Sequence, residues 1–399
     1  MLNYSLVTLI LLSSFVLGGY VLEDLGVQYV SEGGPVLLKI HLYSYLTFLG
    51  TAIIFFRIGI SSAIISLGEF AKNWCLSFLL LGFVIVYGVV QYGTSGMAYL
   101  VDTFLTPLFF LLLLSRLSKF QCEKLLTFVA YLLLFNSFVA IIEFFTQSRL
   151  VDVEFKSFSN FRSTAFLTHP LNNALITAGL ALLVFNRTSV PAVVYFSITI
   201  LALFAFGGRA ATGTLLLFFA LAMVPYLFRF ISFGAAISKQ RFATMLCILY
   251  LSIIVLTYTL AESGITERIS SKLHIDGSAS ARFDVFYLLD QLTFSEWIFG
   301  ASENLQNAIE IYLGISVIEN FLIAWIYKFG LLGAIPLFAM VMLIIFSLVL
   351  RVRGLAFFAV PVFLIVSISN NSLSTKTPAL LLIFSVLYLC FRLKEKSEG

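Results

Sequence analysis

Residues 317–350 read VIENFLIAWIYKFGLLGAIPLFAMVMLIIFSLVL, and where this stretch is cut decides the architecture. Leu331 to Leu350 is an uncharged apolar run of the length that a helix, rising about 1.5 Å per residue, needs to cross a bilayer. Val317 to Tyr327 is too short to cross at that rise, and it carries Glu319 and Asn320, with Lys328 just beyond. Counted as a span, it would push Arg351 and Arg353 to the outer face together with the C-terminal cations. We read it as a re-entrant or interfacial helix that leads through Gly330 into the long span. Irregular backbone at such a junction is tolerated only against protein or a wet cavity.

Further apolar runs of bilayer length fall at Ser5–Val21, Pro35–Phe56, Asn73–Gln91, Met97–Ser115, Leu125–Phe145 and Ala165–Phe185. Others follow at Val190–Phe206, Ala210–Phe228, Phe242–Leu260, Leu355–Asn370 and Thr377–Phe391, twelve spans in all. Composition agrees: 60% of the 399 residues are hydrophobic and 11% charged, where a soluble domain carries roughly 25% charge. So few charges cannot coat a water-facing surface, and lipid must be the main solvent. The chain reads as an all-α polytopic membrane protein, a single integral membrane domain over 1–399. The first run has no basic segment before it and reads as a retained span rather than a cleaved leader.

Short basic loops set the orientation. Arg57 and Lys72, the Arg116–Lys124 trio, Arg187, the Arg229–Arg241 group, Arg351 and Arg353, and the C-terminal cations all fall on one side. The opposite loops hold most of the acids, beginning with Glu23, Asp24 and Glu32. The basic side reads as cytoplasmic, with both termini there. Cys75, Cys122, Cys247 and Cys390 fall on that side too, so no disulfide framework is expected.

Ionisable residues inside spans suggest function by default. Lys39 and His41 (outer half of span two), Asp102, Glu143 and His169 share an outer level, which points to a wet vestibule opening outward. Snorkelling at an interface explains Lys39 and Glu143 equally well. Of the outer connections, Thr146–Thr164 and Ala261–Ser316 are long, and the second is long enough to be functional. With the re-entrant segment it makes a large outer loop over 261–330 with interfacial helices inside it.

Three outer arginines stand at helix starts: Arg162 before span six, Arg209 after Gly207-Gly208 at the head of span eight, and Arg282 in a loop helix capped by Ser280. Helix N-termini offer free N–H groups and partial positive charge, and arginine adds a bidentate fork; together they suit a pyrophosphate. Each arginine alone also fits an interfacial anchor. His169, with Pro170, Asn172 and Asn173 after it, and Glu319, beside Asn320, are the candidate acid–base groups. Helix capping for His169 and an interfacial carboxylate for Glu319 are the plain structural readings. Asn172, Asn320 and Asp102 are expected to line the substrate. The three histidines sit on separate segments without metal-ligand spacing, Asp152 and Glu154 form only an isolated acidic pair, and no P-loop or dinucleotide fingerprint occurs. No metal, cofactor or nucleic acid is expected.

Several short motifs now stand in order: Arg162-x-x-Ala165, Phe166-x-x-His169-Pro170-x-Asn172, Gly208-Arg209-Ala210, Arg282, Trp297-Ile-Phe-Gly300, Glu319-Asn320-Phe321, and Lys328-Phe-Gly330-Leu331-Leu332-Gly333. In this order and topology the chain resembles the O-antigen polymerase and O-antigen ligase superfamily of bacterial envelope-polysaccharide assembly, over roughly residues 125 to 390. The resemblance implies a C-type glycosyltransferase-like membrane fold and a metal-independent transferase. Its donor would be an undecaprenyl diphosphate-linked oligosaccharide on the periplasmic side, with membrane lipid and a chain-length regulator protein as further partners. Arginines like Arg209 and Arg282 are taken to hold the diphosphate. The ligases carry a histidine just before the asparagine of the re-entrant helix, whereas this chain has Glu319, which favours the polymerase. The alternatives are a ligase joining polymer to lipid A-core and, in another class, a glycolipid flippase or a non-catalytic envelope scaffold.

Overall fold

A chain this apolar folds in lipid by satisfying its backbone inside each segment, and helix is the local solution. The computed structural model describes residues 2–31, 33–94, 96–151, 161–167, 169–234, 236, 238–262, 288–302, 305, 318–352 and 354–394. Among these residues the regular structure is entirely helical. The helices are α1 (Leu2–Val16), α2 (Gly19–Asp24), α3 (Leu42–Ile58), α4 (Ile60–Ile65), α5 (Ala71–Tyr92), α6 (Thr106–Leu114) and α7 (Lys119–Thr146). Then come α8 (Pro170–Val184), α9 (Ala192–Ala205), α10 (Arg209–Phe233), α11 (Lys239–Glu262), α12 (Phe294–Phe299), α13 (Phe321–Val352), α14 (Ala356–Ile368) and α15 (Ala379–Lys394). Among the described residues four helices are long and apolar enough to cross a membrane, within Gly68–Tyr92, Lys119–Thr146, Arg209–Phe233 and Phe321–Val352, and shorter apolar helices accompany them. This is the architecture of an integral membrane protein.

α15 is the axis. Every residue from Ala379 to Phe391 is buried, as expected of a helix apolar all round in the middle of a bundle. α6, α7, α8 and α13 pack around it, α5 lies along α13, and α14 lies along α8. α10 is the opposite case, with Leu217, Leu221, Val224, Phe228 and Ile231 turned outward, the surface that lipid covers.

The apolar runs and the helices differ where polar groups claim the backbone. The first run breaks at Leu17–Gly18, where Gly18 is extended (φ −60°, ψ 163°) and the Leu17 carbonyl meets His41 Nε2 at 2.5 Å. The second opens with a 3-10 turn over Val36–Lys39 and becomes α-helix only at Leu42, so Lys39 and His41 precede α3 rather than lying inside it, and His41 caps it by accepting the Tyr43 N–H. The fourth opens with a π-helical turn over Leu100–Leu105. The sixth starts at Pro170, not Ala165, so His169 is the residue before the helix and Arg162 stands well ahead of it.

The cut at Gly330 has a steric cause. Gly330 (φ 61°, ψ −174°) kinks α13 into a short leading helix and a long one. A Cβ there would overlap the Ile298 carbonyl and the Gly300 nitrogen, and one on Gly300 would overlap the Lys328 carbonyl. The Ala301 N–H donates to the Tyr327 carbonyl at 2.8 Å, so the two glycine motifs interlock backbone to backbone.

At one end of the bundle the basic connections meet. Arg351 pairs with Glu69 at 3.0 Å, Arg392 donates to the Leu117 carbonyl at 3.4 Å, and Lys394 donates to the Val352 carbonyl. The cysteines are free. The opposite end carries the polar groups described next.

Candidate functional site

A tight turn at that end joins α9 to α10. The Gly208 N–H donates to the Leu203 carbonyl at 3.0 Å and the Gly207 N–H to the Phe204 carbonyl at 2.8 Å, a Schellman termination with Gly207 left-handed at φ 67°. Two residues later Arg209 is the first residue of α10 and is exposed. Gly208 lets α8 approach, because a Cβ on it would sit 2.6 Å from the Ala174 Cβ. Arg162 lies on the same turn: a Cβ on Gly207 would meet its Nε at 2.8 Å and its Cδ at 2.9 Å. Arg162 and Arg209 therefore flank one glycine, at the positive end of α10.

Arg162 is held there by a non-helical strap, residues 161–167. Glu143, at the end of α7, anchors it. One carboxylate oxygen accepts the Thr164 and Ala165 N–H groups at 2.7 and 2.9 Å, and the other accepts the Leu150 N–H at 2.8 Å. Ser163 donates its hydroxyl to the Ala140 carbonyl and its N–H to the Ala205 carbonyl. Asn136 accepts the Phe166 N–H and donates to Asn173, which donates in turn to the Thr164 carbonyl. Glu143 is thus a builder of the site. The strap ends at His169, near enough to Arg162 for the guanidinium charge to act on its ring.

Asn172, in the first turn of α8, extends the site by accepting the Ser372 hydroxyl at 2.5 Å. The Ser372 N–H donates to Asn370 Oδ1, and the Asn370 carbonyl accepts the Phe321 N–H at 3.2 Å. Asn320 caps α13, its Oδ1 accepting the Leu322 and Ile323 N–H groups. Glu319 is half-buried beside it. Arg162, Arg209, His169, Asn172, Asn320 and Glu319 are thereby linked through one run of packed and hydrogen-bonded groups. Arg282 lies outside the described residues, as does the Asp152–Glu154 pair.

Asp102 is placed differently from a substrate-lining group. It is fully buried in the π-turn, accepting Tyr29 Oη at 2.8 Å, Ser44 Oγ at 2.6 Å and the His41 N–H at 3.1 Å. Beside it lies a small cleft of about 30 Å³, lined by Tyr29, His41, Tyr43, Asn172 and Lys376 among others. Lys376 donates to the Tyr29 carbonyl at 2.7 Å and stands 4.4 Å over the Tyr29 ring. Burial pulls its ammonium below the ordinary value, against the opposing pull of the Asp102 carboxylate. Sequence reasoning passed over Lys376, although it is the only cation in the polar, turn-rich stretch NNSLSTKTP (370–378). Arg149 was passed over too; it donates to the Arg162 carbonyl at 3.1 Å and stands 4.8 Å over the Phe161 ring.

Among the described residues no three His, Cys, Asp or Glu side chains gather as a metal site. No protein-family model matches the chain, and no curated protein matches it.

Proposed function

We propose that the protein is a glycan polymerase of the bacterial inner membrane, transferring a polyprenyl diphosphate-linked glycan onto a second lipid-linked repeat unit. The observation that carries this reading is the shared turn: Arg162 and Arg209 flank Gly207 at the start of α10, beside His169. The diphosphate would lie against these arginines at the positive end of that helix, with Arg282, outside the described residues, as the third diphosphate-binding arginine. A sugar hydroxyl of the second repeat attacks the anomeric carbon, and its proton passes to Glu319 or His169. The bond to the diphosphate breaks, and the departing charge is held by cations already in place, which is where such a site lowers the barrier. In the accompanying topology twelve spans cross the membrane and both termini are cytoplasmic. The short leading part of α13 is re-entrant, and 261–330 forms the periplasmic loop of a C-type glycosyltransferase-like fold.

Reconstitution in proteoliposomes with purified lipid-linked repeats tests the reading. Arg209→Ala and Arg162→Ala should each lower polymer formation by about 10²-fold or more, leaving single repeats on the carrier lipid. Wild-type chain lengths in both variants would remove the diphosphate assignment. A deletion strain whose lipopolysaccharide core is uncapped, rather than capped with a single repeat, would indicate the ligase. Lipid-linked repeat moved across the bilayer with no new glycosidic bond would indicate a flippase.

A further inference from the structure

The polar stretch NNSLSTKTP (370–378) joins α14 to α15, the helix at the axis of the bundle. Asn, Ser and Thr side chains compete with helix for backbone partners, so such a stretch folds back on itself. Asn370 Oδ1 accepts the Ser372 N–H at 2.9 Å, and a single 3-10 turn follows over Ser372–Ser374. Asn370, Ser372, Leu373 and Thr377 are buried. The outward bonds of this turn reach four separate parts of the chain. Ser372 donates its hydroxyl to Asn172 Oδ1 at 2.5 Å, in the first turn of α8. The Asn370 carbonyl accepts the Phe321 N–H at 3.2 Å, and the Leu373 carbonyl accepts Trp325 Nε1 at 3.3 Å, both from the leading part of α13. Thr103 Oγ1, in the π-helical turn, donates to the Thr375 carbonyl at 2.8 Å and accepts the Thr377 N–H at 3.1 Å. Lys376 donates to the Tyr29 carbonyl at 2.7 Å. Buried polar groups are costly to leave unpaired, so these bonds hold the turn in one place, as a bracket on the axis helix.

We propose that this turn sets the spacing between the two segments that carry the candidate bases, with Ser372 and Asn370 as positioning residues. His169 lies three residues before Asn172, and Glu319 two residues before Phe321. Hydrogen bonds from Ser372 to Asn172, within the turn from Ser372 to Asn370, and from Phe321 to Asn370 join the two segments. α8 and α13 each pack on α14 and α15 rather than along each other, so the turn joining α14 to α15 is where their starts are registered. On the transfer reading, on which this assignment rests, the base must meet the acceptor hydroxyl while the arginines hold the diphosphate. A misplacement of about 1 Å in such a geometry costs on the order of 10²-fold in rate. Ser372 and Asn370 act through Asn172 and Phe321 rather than on the reacting atoms.

The test combines steady-state transfer in proteoliposomes with hydrogen exchange of the full chain in nanodiscs. Ser372→Ala should lower the rate at saturating lipid-linked repeat about tenfold or more while KM stays within about twofold. It should also speed amide exchange about tenfold in the first turn of α8 and the leading turn of α13 together. Asn370→Ala removes the acceptor of the Ser372 N–H and should reproduce both effects, which keeps the bridge measurable if one variant fails to fold. Ser374→Ala is the control. Its hydroxyl donates to the Asn371 carbonyl at 2.9 Å within the same turn, and its loss should leave rate and exchange within about twofold of wild type. A loss in Ser374→Ala as large as that in Ser372→Ala, a raised KM at unchanged rate, or faster exchange at one helix start alone would each overturn the proposal. Exchange needs no substrate. A wild-type protein that forms no polymer therefore sinks the transferase and leaves the bracket to be judged by exchange. Wild-type rate and exchange in both bridge variants sink the bracket and leave the transferase standing.

Discussion

A single methyl group at position 207 would press against the Arg162 side chain and also force a left-handed φ on a residue with a Cβ. Gly207→Ala should therefore cost about 1–2 kcal/mol from the backbone alone and move Arg162 off the turn. A fall in melting temperature is the expected outcome, joined under the proposed polymerase reading by a loss of polymer formation, and an unchanged protein would show that the turn does not position the arginine. Glu143 makes the complementary case, because its value is its acceptors. Glu143→Gln turns one acceptor into a donor facing backbone N–H groups, at an expected cost of about 1–3 kcal/mol. Differential scanning calorimetry measures that cost. Limited proteolysis reads release of the 161–167 strap, and a strap as resistant as wild type would refute the anchoring role.

Among elements, α12 shows how a very short helix is kept in place. Thr293 and Glu296 form a reciprocal capping box, and the Glu296 carboxylate also accepts the Ser302 N–H at 3.1 Å. The N–H groups of Thr293 and Ser302 hold its carboxyl down to about 2, from an ordinary 4.5. A carboxyl depressed by folding stabilises the structure fully above its unfolded value and progressively less as pH falls towards the folded one. Amide protection of α12 should therefore be flat above about pH 5 and decline between 4.5 and 2, and Glu296→Gln should abolish that slope. Hydrogen exchange across that range measures it, and a slope that survives in the variant would assign it to another group. Because α12 is locked to α13 through Gly300 and Gly330, loosening it should also loosen the leading turns of α13.

For the whole molecule, polarity is sorted by end. Basic connections meet at Glu69–Arg351 and Arg392–Leu117, while the strap, the arginine turn and the cleft gather at the other end. With the four cysteines replaced, single cysteines at Ser148 and Ser189 should label oppositely with a membrane-impermeant maleimide in spheroplasts. Ser148 should react and Ser189 should not. The reverse pattern would invert the topology and put the site on the cytoplasmic side.

How much of this was legible follows from which forces are local. The apolar runs named the helices because burying a backbone in lipid demands helix whatever its neighbours, and the α5 and α9 boundaries fall within two residues of the runs that announced them, while α7 begins before its run and α10 continues past its own. The junction at Gly330 was legible as well, since charge, length and a glycine all mark it. Helix starts at His41 and His169 were misplaced because apolar composition continues through them, and the backbone there is claimed by partners far away in sequence, Leu17 in one case and the Glu143-anchored strap in the other. The convergence of Arg162 with the Arg209 turn and the polar cluster of Tyr29, His41, Asp102 and Lys376 were decided only by packing. Hydropathy fixes which segments enter lipid, but pairing across dozens of residues depends on a few directional hydrogen bonds and glycine contacts that no one-dimensional pattern encodes.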